Sequence, residues 1–253
     1  MRSLFALAKR NLKETLRDHL SLIFCLLFPI FMLILMQVIF LNMQNVPHNF
    51  DIQNYASGIC VFGFTFTAMF VALQIAGDKN TAFIKRINIA PTNKFVYYLS
   101  FGLSALAVAF VQEILFFAIS LCFGLKFDAN FWLSIIYLIP SAIMYISLGI
   151  LVGIICTSEK QAGPISSIIV SLVAIFGGVF MPLSALKGGF NNFVNLLPFS
   201  HSILISSQLG TVGAGCIYPH ILYVAIYTIL FLGFAFVIQK IKQKWLNNFV
   251  WVI

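Results

Sequence analysis

The stretch GGVFMPLSALKGGFNNFVNLLPFSHS, residues 177–202, interrupts a chain that otherwise consists of apolar runs. Two glycine pairs, two prolines, several asparagines and a histidine follow directly after a hydrophobic run. Glycine and proline stop a straight helix, yet apolar residues persist among the polar ones. Such a backbone lies at membrane depth only where it folds back against protein or lines a cavity. The stretch therefore predicts a re-entrant helical segment over residues 183–209, with a simple outer loop as the alternative.

The composition is that of an integral membrane protein. Of the 253 residues, 61% are hydrophobic and 9% are charged, whereas about a quarter of the residues in soluble proteins are charged. Six apolar runs are near the length of about 20 residues that a bilayer requires. They cover residues 20–41, 55–76, 95–123, 131–156, 164–181 and 219–239. We expect an all-α integral membrane protein with six transmembrane helices in one domain, residues 1–253, and a bend at Pro29.

The basic residues lie at the ends of the apolar runs and gather on one side of the predicted spans. All of the fifteen Lys and Arg residues except Lys126 and Lys187 fall on the side that holds both termini. The positive-inside rule assigns that side to the cytoplasm. Because the charges mark topology and do not form a patch on a folded domain, nucleic acid is not an expected partner.

The first eighteen residues predict a basic amphipathic helix that lies at the surface of the lipid bilayer. One helical stripe holds the apolar residues Leu4, Phe5, Ala8, Leu12 and Leu16. The basic residues cluster elsewhere, at Lys9, Arg10, Lys13 and Arg17. A secretory signal is the alternative, but the run at 20–41 is long enough to span, and no small-residue cleavage site follows it.

The sequence holds no motif for nucleotide hydrolysis or other enzyme chemistry. A G-x-x-x-x-G-K-[ST] pattern, which would cradle phosphates, is absent. The five cysteines have no metal-like spacing, and the four histidines, expected to be interfacial polar residues, are scattered along the chain. We expect no enzyme activity, no metal site and no directly bound cofactor.

Two features inside the apolar runs suggest special roles. Glu113, beside Gln112, is the only acidic residue well inside an apolar run, where a charge costs at least about 2.5 kcal/mol. These two residues are expected either to line a translocation path or to form an internal hydrogen bond. Gly149 and Gly153 form a G-x-x-x-G pattern that lets helices approach closely. For this pair, packing within the chain is favoured over a dimer seam.

The loop GDKNTAFIKRINIAPTNK, residues 77–94, is the longest segment that the topology assigns to the cytoplasm. Charged residues flank apolar ones in its centre, which predicts a short amphipathic helix that Pro91 ends. The loop is either a basic turn lying on lipid headgroups or a docking helix for a soluble partner.

The order of these features resembles the type-2 ATP-binding-cassette export permeases. The matching segments are the amphipathic helix, FPI at 28–30, RINIAPT at 86–92, GGVFMPLSAL at 177–186 and LPFSH at 197–201. The resemblance covers residues 1 to about 244. It implies a permease in the cell membrane of a prokaryote that pairs with a second copy or a similar permease. Two cytosolic ATPase subunits, which use ATP and Mg, would then drive export by alternating access.

The resemblance also implies roles for individual residues. Contact with the ATPase is implied for Lys9, Arg10, Lys13, Glu14, Asp78, Lys79, Phe83, Arg86 and Pro91. An outer gate above the dimer cavity is implied for Met181, Pro182, Leu183, Leu197, Pro198 and Phe199. We expect a hydrophobic or amphiphilic cargo, such as a drug, a lipid or an antimicrobial peptide. The alternatives are a polysaccharide or glycolipid exporter of the same family and an ion-coupled secondary transporter.

Overall fold

The computed structural model describes residues 2–42, 51–79, 81, 82, 84, 87, 94–180, 189–207 and 217–250. All regular secondary structure in these residues is helical. This confirms the all-α prediction for the part of the chain that the structure describes. Four cysteines among these residues, Cys25, Cys60, Cys122 and Cys156, are free thiols.

The helices follow the predicted apolar runs closely. The N-terminal part comprises α1 (Arg2–Arg17), α2 (His19–Leu22), a π-helical turn (Ile23–Leu27) and α3 (Phe28–Leu41). The central part comprises α4 (Ile52–Asp78), α5 (Lys94–Cys122) and α6 (Ala129–Ile155). The C-terminal part comprises α7 (Glu159–Phe176), α8 (Gly189–Leu196), α9 (Pro198–Ser207) and α10 (Ile217–Val250).

A π-helical turn lies just ahead of Pro29, where the sequence predicts a bend; the bend itself stays a prediction. Pro29 has no N–H group to donate, and its ring crowds the preceding turn of a regular helix. The chain widens over Ile23–Leu27, immediately before the proline, and the Phe28 N–H group bonds back to the Ile23 carbonyl. The first predicted span is therefore a helix with a local change of pitch, which is a common way of accommodating proline.

Among the described residues, five helical segments are long and apolar enough to cross a bilayer. They are Ile23–Leu41, Ile52–Asp78, Lys94–Cys122, Phe131–Ile155 and Ile217–Gln243. The predicted span at 164–181 corresponds to α7, whose 18 residues begin with Glu159, Lys160 and Gln161. Because these polar residues occupy the first turn, the apolar part of α7 is shorter than a span of about 20 residues. The sixth span therefore stays a prediction.

Contacts at its two ends show that α7 runs along the bundle beside α4. At one end, Glu159 packs against Gly77 near the end of α4. Just beyond the other end, the ring of Phe180 lies 5.3 Å from that of Phe62 in the first half of α4. The two helices are therefore antiparallel, and α7 returns the chain towards the end of the bundle where α4 begins.

The central helix of the bundle is α4, which packs against α3, α5, α6, α7 and α9. The closest approach is to α6, where Gly149 and Gly153 face Ala68 and Ala72. A Cβ atom at Gly149 would lie 2.9 Å from the Ala68 Cα, and one at Gly153 would lie 2.8 Å from the Ile75 Cβ. The G-x-x-x-G pattern therefore packs α6 against α4 within one chain, as favoured from the sequence.

Replacing Gly149 by alanine should destabilise the bundle. The added methyl group would meet the α4 backbone, which cannot rotate away, and overpacking of this kind costs about 1–3 kcal/mol. Gly233→Ala is the matched control, since nothing lies within 4 Å of a Cβ there, and a helical Gly→Ala change in open space is neutral or favourable by up to about 1 kcal/mol. Thermal unfolding in detergent measures both variants. Equal midpoints for Gly149→Ala and Gly233→Ala would contradict this packing.

Candidate functional site

Asp78, the last residue of α4, joins three helices at one end of the bundle. We call this the basic end, formed by α1, the end of α4, the start of α5 and the end of α6. The Asp78 Oδ2 atom accepts hydrogen bonds from Arg10 Nη1 of α1 at 3.3 Å and from Tyr97 Oη of α5 at 2.8 Å. Arg10 Nη2 also pairs with Glu14 Oε1 at 2.7 Å, one turn along α1. The carboxylate of Asp78 and the guanidinium group of Arg10 are both charged, and hydrogen bonds between charged groups are stronger than neutral ones. This bond therefore holds α1 against the bundle.

Two further hydrogen bonds attach α1 to its neighbours. Asn11 Nδ2 donates to Ser100 Oγ of α5 at 2.9 Å, and Gln74 Nε2 of α4 donates to Thr15 Oγ1 at 2.8 Å. Ala8, Asn11 and Thr15 are buried on one face of α1. This docking face was not predicted from the sequence, although the spacing of these small and polar residues at i, i+3 and i+7 is a helical signal.

Only part of the apolar stripe predicted for α1 packs against the bundle. Ala8 is buried, and Leu4 and Leu12 are half-buried, but Phe5 and Leu16 are exposed by 62% and 54%. The large apolar side chains at the ends of the stripe therefore project away from the bundle. An amphipathic helix presents such groups to a lipid surface or to a partner.

Two lysines cap the end of α6 at the basic end. Lys79 Nζ donates to the carbonyls of Gly153 and Ile154 at 2.6 and 2.9 Å, and also to the Cys156 carbonyl. Lys242 Nζ of α10 donates to the Ile154 carbonyl at 2.8 Å. These bonds satisfy carbonyls that have no partner within the helix and place positive charge at the negative end of its dipole. Burial, together with the nearby charge of Lys242, lowers the pKa of Lys79 to about 8.

The structure brings together some of the residues that the resemblance implicates in ATPase contact. Arg10, Glu14 and Asp78 form one connected set, whereas Lys79 turns towards α6. Lys9 and Lys13 are exposed on α1. Phe83, Arg86 and Pro91 lie outside the described residues. The coupling role of all nine residues stays a prediction.

Gln112 and Glu113 are buried in α5, next to α4. Thr67 Oγ1 of α4 donates to Gln112 Oε1 at 3.0 Å, and a Cβ atom at Gly63 would overlap the Gln112 amide group. Within the described residues, Gln112 Nε2 and Glu113 Oε1 have no hydrogen-bond partner. The bond from Thr67 favours the structural alternative for Gln112. The translocation path stays a prediction for both residues.

Two short helices, α8 and α9, occupy residues 189–207 at the opposite end of the bundle, which we call the α9 end. Leu197 connects these helices, Pro198 is the first residue of α9, and the Phe199 ring stacks 6.2 Å from that of Tyr145 in α6. Met181, Pro182 and Leu183 lie outside the described residues. The segment is helical where it is described, while its re-entrant depth and its role as a gate stay predictions.

A histidine pair links α9 to α10 at the α9 end. His201 Nε2 lies 2.8 Å from the Asn195 carbonyl, and His201 Nδ1 lies 2.7 Å from His220 Nδ1. Because a carbonyl only accepts, His201 donates through Nε2, and its neutral ring then accepts the proton of His220 at Nδ1. The Tyr223 ring stacks 4.3 Å from His201. The sequence predicts only scattered interfacial histidines, since nothing in the spacing of His201 and His220 indicates a contact.

One comparison with known proteins identifies a family. The family model described as ABC-2 type transporter matches residues 2–208, which is most of the chain. No curated protein matches the chain.

Replacing Asp78 should weaken the attachment of α1. Asp78→Asn removes the charge that pairs with Arg10 at this partly buried position and should lower the free energy of unfolding by about 1–2 kcal/mol. Glu14→Gln is the matched control, because it removes only an i, i+4 pair on the surface of α1, worth up to about 0.5 kcal/mol. Thermal or denaturant unfolding of the full chain in detergent measures the difference. An effect of Asp78→Asn no larger than that of Glu14→Gln would contradict the assignment.

The free energy of unfolding should fall as the pH drops below neutral. Burial lowers the pKa of His201, so the unfolded chain takes up a proton near the ordinary histidine pKa of about 6.5 before the folded chain does. The stability that depends on a neutral His201 ring is therefore complete above about pH 6.5. It declines as the pH falls towards the lower pKa of the folded state. Unfolding midpoints between neutral and mildly acid pH should shift less in His201→Gln than in the wild type. An unchanged shift in His201→Gln, or an equal change in the exposed control His19→Gln, would contradict this.

Proposed function

This chain belongs to the ABC-2 type transporter family, and we propose that it is the permease subunit of an ATP-driven exporter. A multi-pass membrane protein of this family is a transport component and not an ATPase, and the sequence has no phosphate-binding P-loop pattern. Members of the family work with ABC ATPases. Under this proposal, separate cytosolic subunits bind and hydrolyse ATP with Mg, and this chain carries the cargo outward by alternating access.

The observation that supports this proposal most directly is the hydrogen-bonded set around Asp78. It ties α1 to the end of α4 through Arg10, and these are the two regions that the family resemblance assigns to ATPase contact. A displacement of α1 would pull directly on α4, and through Tyr97 on α5. Lys79, the next residue, extends the connection to the end of α6. The basic end would thus pass ATPase movement to three spans.

Exposed faces on the first and last spans are compatible with a second permease. Large apolar side chains are exposed along both Ile23–Leu41 and Ile217–Gln243. Within a bilayer such faces contact lipid or another membrane helix. We propose that the working unit contains two permease chains, identical or similar, with two ATPases below them.

An aromatic groove supports a hydrophobic or amphiphilic cargo. The groove has a volume of about 420 Å³ and lies between the first span, α4 and α7. Phe24, Phe66 and Phe70 contribute to its walls, along with Ser167 and Ser171. Both serine hydroxyls donate to backbone carbonyls of their own helix, so neither has a hydrogen left to donate to a ligand. A polysaccharide would need many polar partners, whereas this surface suits an apolar ligand.

Reconstitution with the cognate ATPase tests the proposal. The chain should co-purify with a P-loop ATPase, and inside-out vesicles containing both should accumulate a hydrophobic fluorescent dye only when ATP is supplied. A fluorescent glycolipid in parallel vesicles tests the alternative cargo. Phe70→Ala, which removes a wall of the groove, should raise the KM for dye several-fold with little change in kcat, because it removes binding contacts.

Separate controls test the binding of cargo in the groove and the need for ATP. Phe110→Ala removes a phenylalanine that is exposed on α5, away from the first and last spans, and does not line the groove, so it should leave the KM unchanged. Transport by the chain alone without ATP, or ATP-driven movement in the opposite direction, would refute the proposed exporter. Accumulation of the glycolipid without the dye would refute the cargo assignment alone.

A further inference from the structure

The basic end contains a cleft of about 430 Å³ between the start of α5, the end of α6 and the end of α10. It is distinct from the aromatic groove, since the two share no lining residue. Beside it, the rings of Phe95 in α5 and Phe236 in α10 are in edge contact, with centroids 5.2 Å apart. The lining comes from α5, α6, α10 and the segment that follows α4, so the cleft is built from separate parts of the sequence.

Three lysines from separate elements line this cleft. Lys79 follows α4, Lys94 begins α5 and Lys242 belongs to α10. Lys79 and Lys242 donate to carbonyls at the end of α6, but their charge remains beside the cavity. Lys94 Nζ has no hydrogen-bond acceptor within the described residues. The nearby acid, Asp78, is bonded to Arg10 and does not line the cleft.

The walls of the cleft are apolar, although its charge is positive. Ile87, Ile154 and Ile241 contribute side chains to the lining. A free phosphate or nucleotide would satisfy the lysines and leave this surface in contact with water. An amphiphile with an anionic head satisfies both parts, because its hydrocarbon chain covers the isoleucines.

The position of the cleft indicates where such an amphiphile comes from. Lys94 stands at the first residue of the segment Lys94–Cys122, and Lys242 stands one residue before the end of Ile217–Gln243. Lysines at the ends of spans lie at the level of lipid headgroups. By the positive-inside rule, this is the cytoplasmic side of the membrane.

We propose that this cleft binds an anionic phospholipid of the cytoplasmic leaflet. Its phosphate lies between Lys94 and Lys242, and one acyl chain packs against Ile87, Ile154 and Ile241. The bound lipid bridges α5 and α10 where α6 ends, next to the hydrogen bonds of Asp78. Occupancy of the cleft therefore stabilises the basic end in membranes that are rich in anionic lipid. This inference stands on the cleft alone and does not depend on the direction of transport.

Lipid titration of the purified full-length chain tests the inference. Phosphatidylglycerol, presented in mixed detergent micelles, should bind and raise the thermal unfolding midpoint, whereas phosphatidylcholine should not. Lys94→Gln, which breaks no hydrogen bond among the described residues, should weaken phosphatidylglycerol binding about fivefold, the contribution of one lysine near an anionic surface. Lys94→Gln combined with Lys242→Gln should weaken it further.

Lys240→Gln is the matched control, because Lys240 is on the same part of α10 but lies over the Phe236 ring at 4.5 Å and does not line the cleft. It should keep the wild-type affinity. Equal losses in Lys240→Gln and Lys94→Gln would show unspecific surface attraction and overturn the inference. Full competition by inorganic phosphate would also overturn it, because the site would then take a free anion. Since neither ATP hydrolysis nor transport is measured, these outcomes leave the exporter proposal untouched.

Discussion

The close approach of α6 to α4 is the constraint on which the basic end depends. With glycine at positions 149 and 153, the α6 backbone lies directly against Ala68 and Ala72. Membrane helices gain no hydrophobic energy from associating in lipid, so their contacts rest on close packing and on hydrogen bonds. This contact fixes the end of α6 beside the last turn of α4. A larger residue at position 149 would push the two helix ends apart and move the α6 carbonyls out of reach of Lys79.

The adjacent residues Asp78 and Lys79 connect the end of α4 in two directions. The carboxylate of Asp78 holds Arg10 of α1 and Tyr97 of α5, while the ammonium group of Lys79 holds the last carbonyls of α6. These hydrogen bonds pair polar groups on both sides, and leaving such groups unpaired near the membrane would cost free energy. The same two residues therefore connect α1, α5 and α6 to the end of α4, and the proposed coupling to the ATPase rests on this connection.

Hydropathy predicts the helices, and the G-x-x-x-G pattern predicts close packing of its helix within the chain, because both depend on local composition. That α4 is the partner of this helix depends on the fold and was not predicted. The pairing of Arg10 with Asp78 was not predicted, since it depends on which turn of α1 meets α4. The His201–His220 contact was missed for the same reason, as it arises where two separate helices pack. The helix α7 begins at Glu159, so its apolar run starts only after a polar first turn. The run is shorter than an ordinary span, and for this reason hydropathy does not predict by itself that α7 crosses the membrane.

Under the proposed function, α1 and the end of α4 move as one unit during the ATP cycle. Spin labels at two exposed positions, Lys9 on α1 and Thr81 just beyond α4, would measure this directly by pulsed electron paramagnetic resonance. The background should lack Cys122, which is exposed, and Cys216, which lies outside the described residues, and the permease should be assembled with its ATPase. The account predicts the same distance distribution with and without ATP. A distance between the two labels that changes on ATP binding would contradict it.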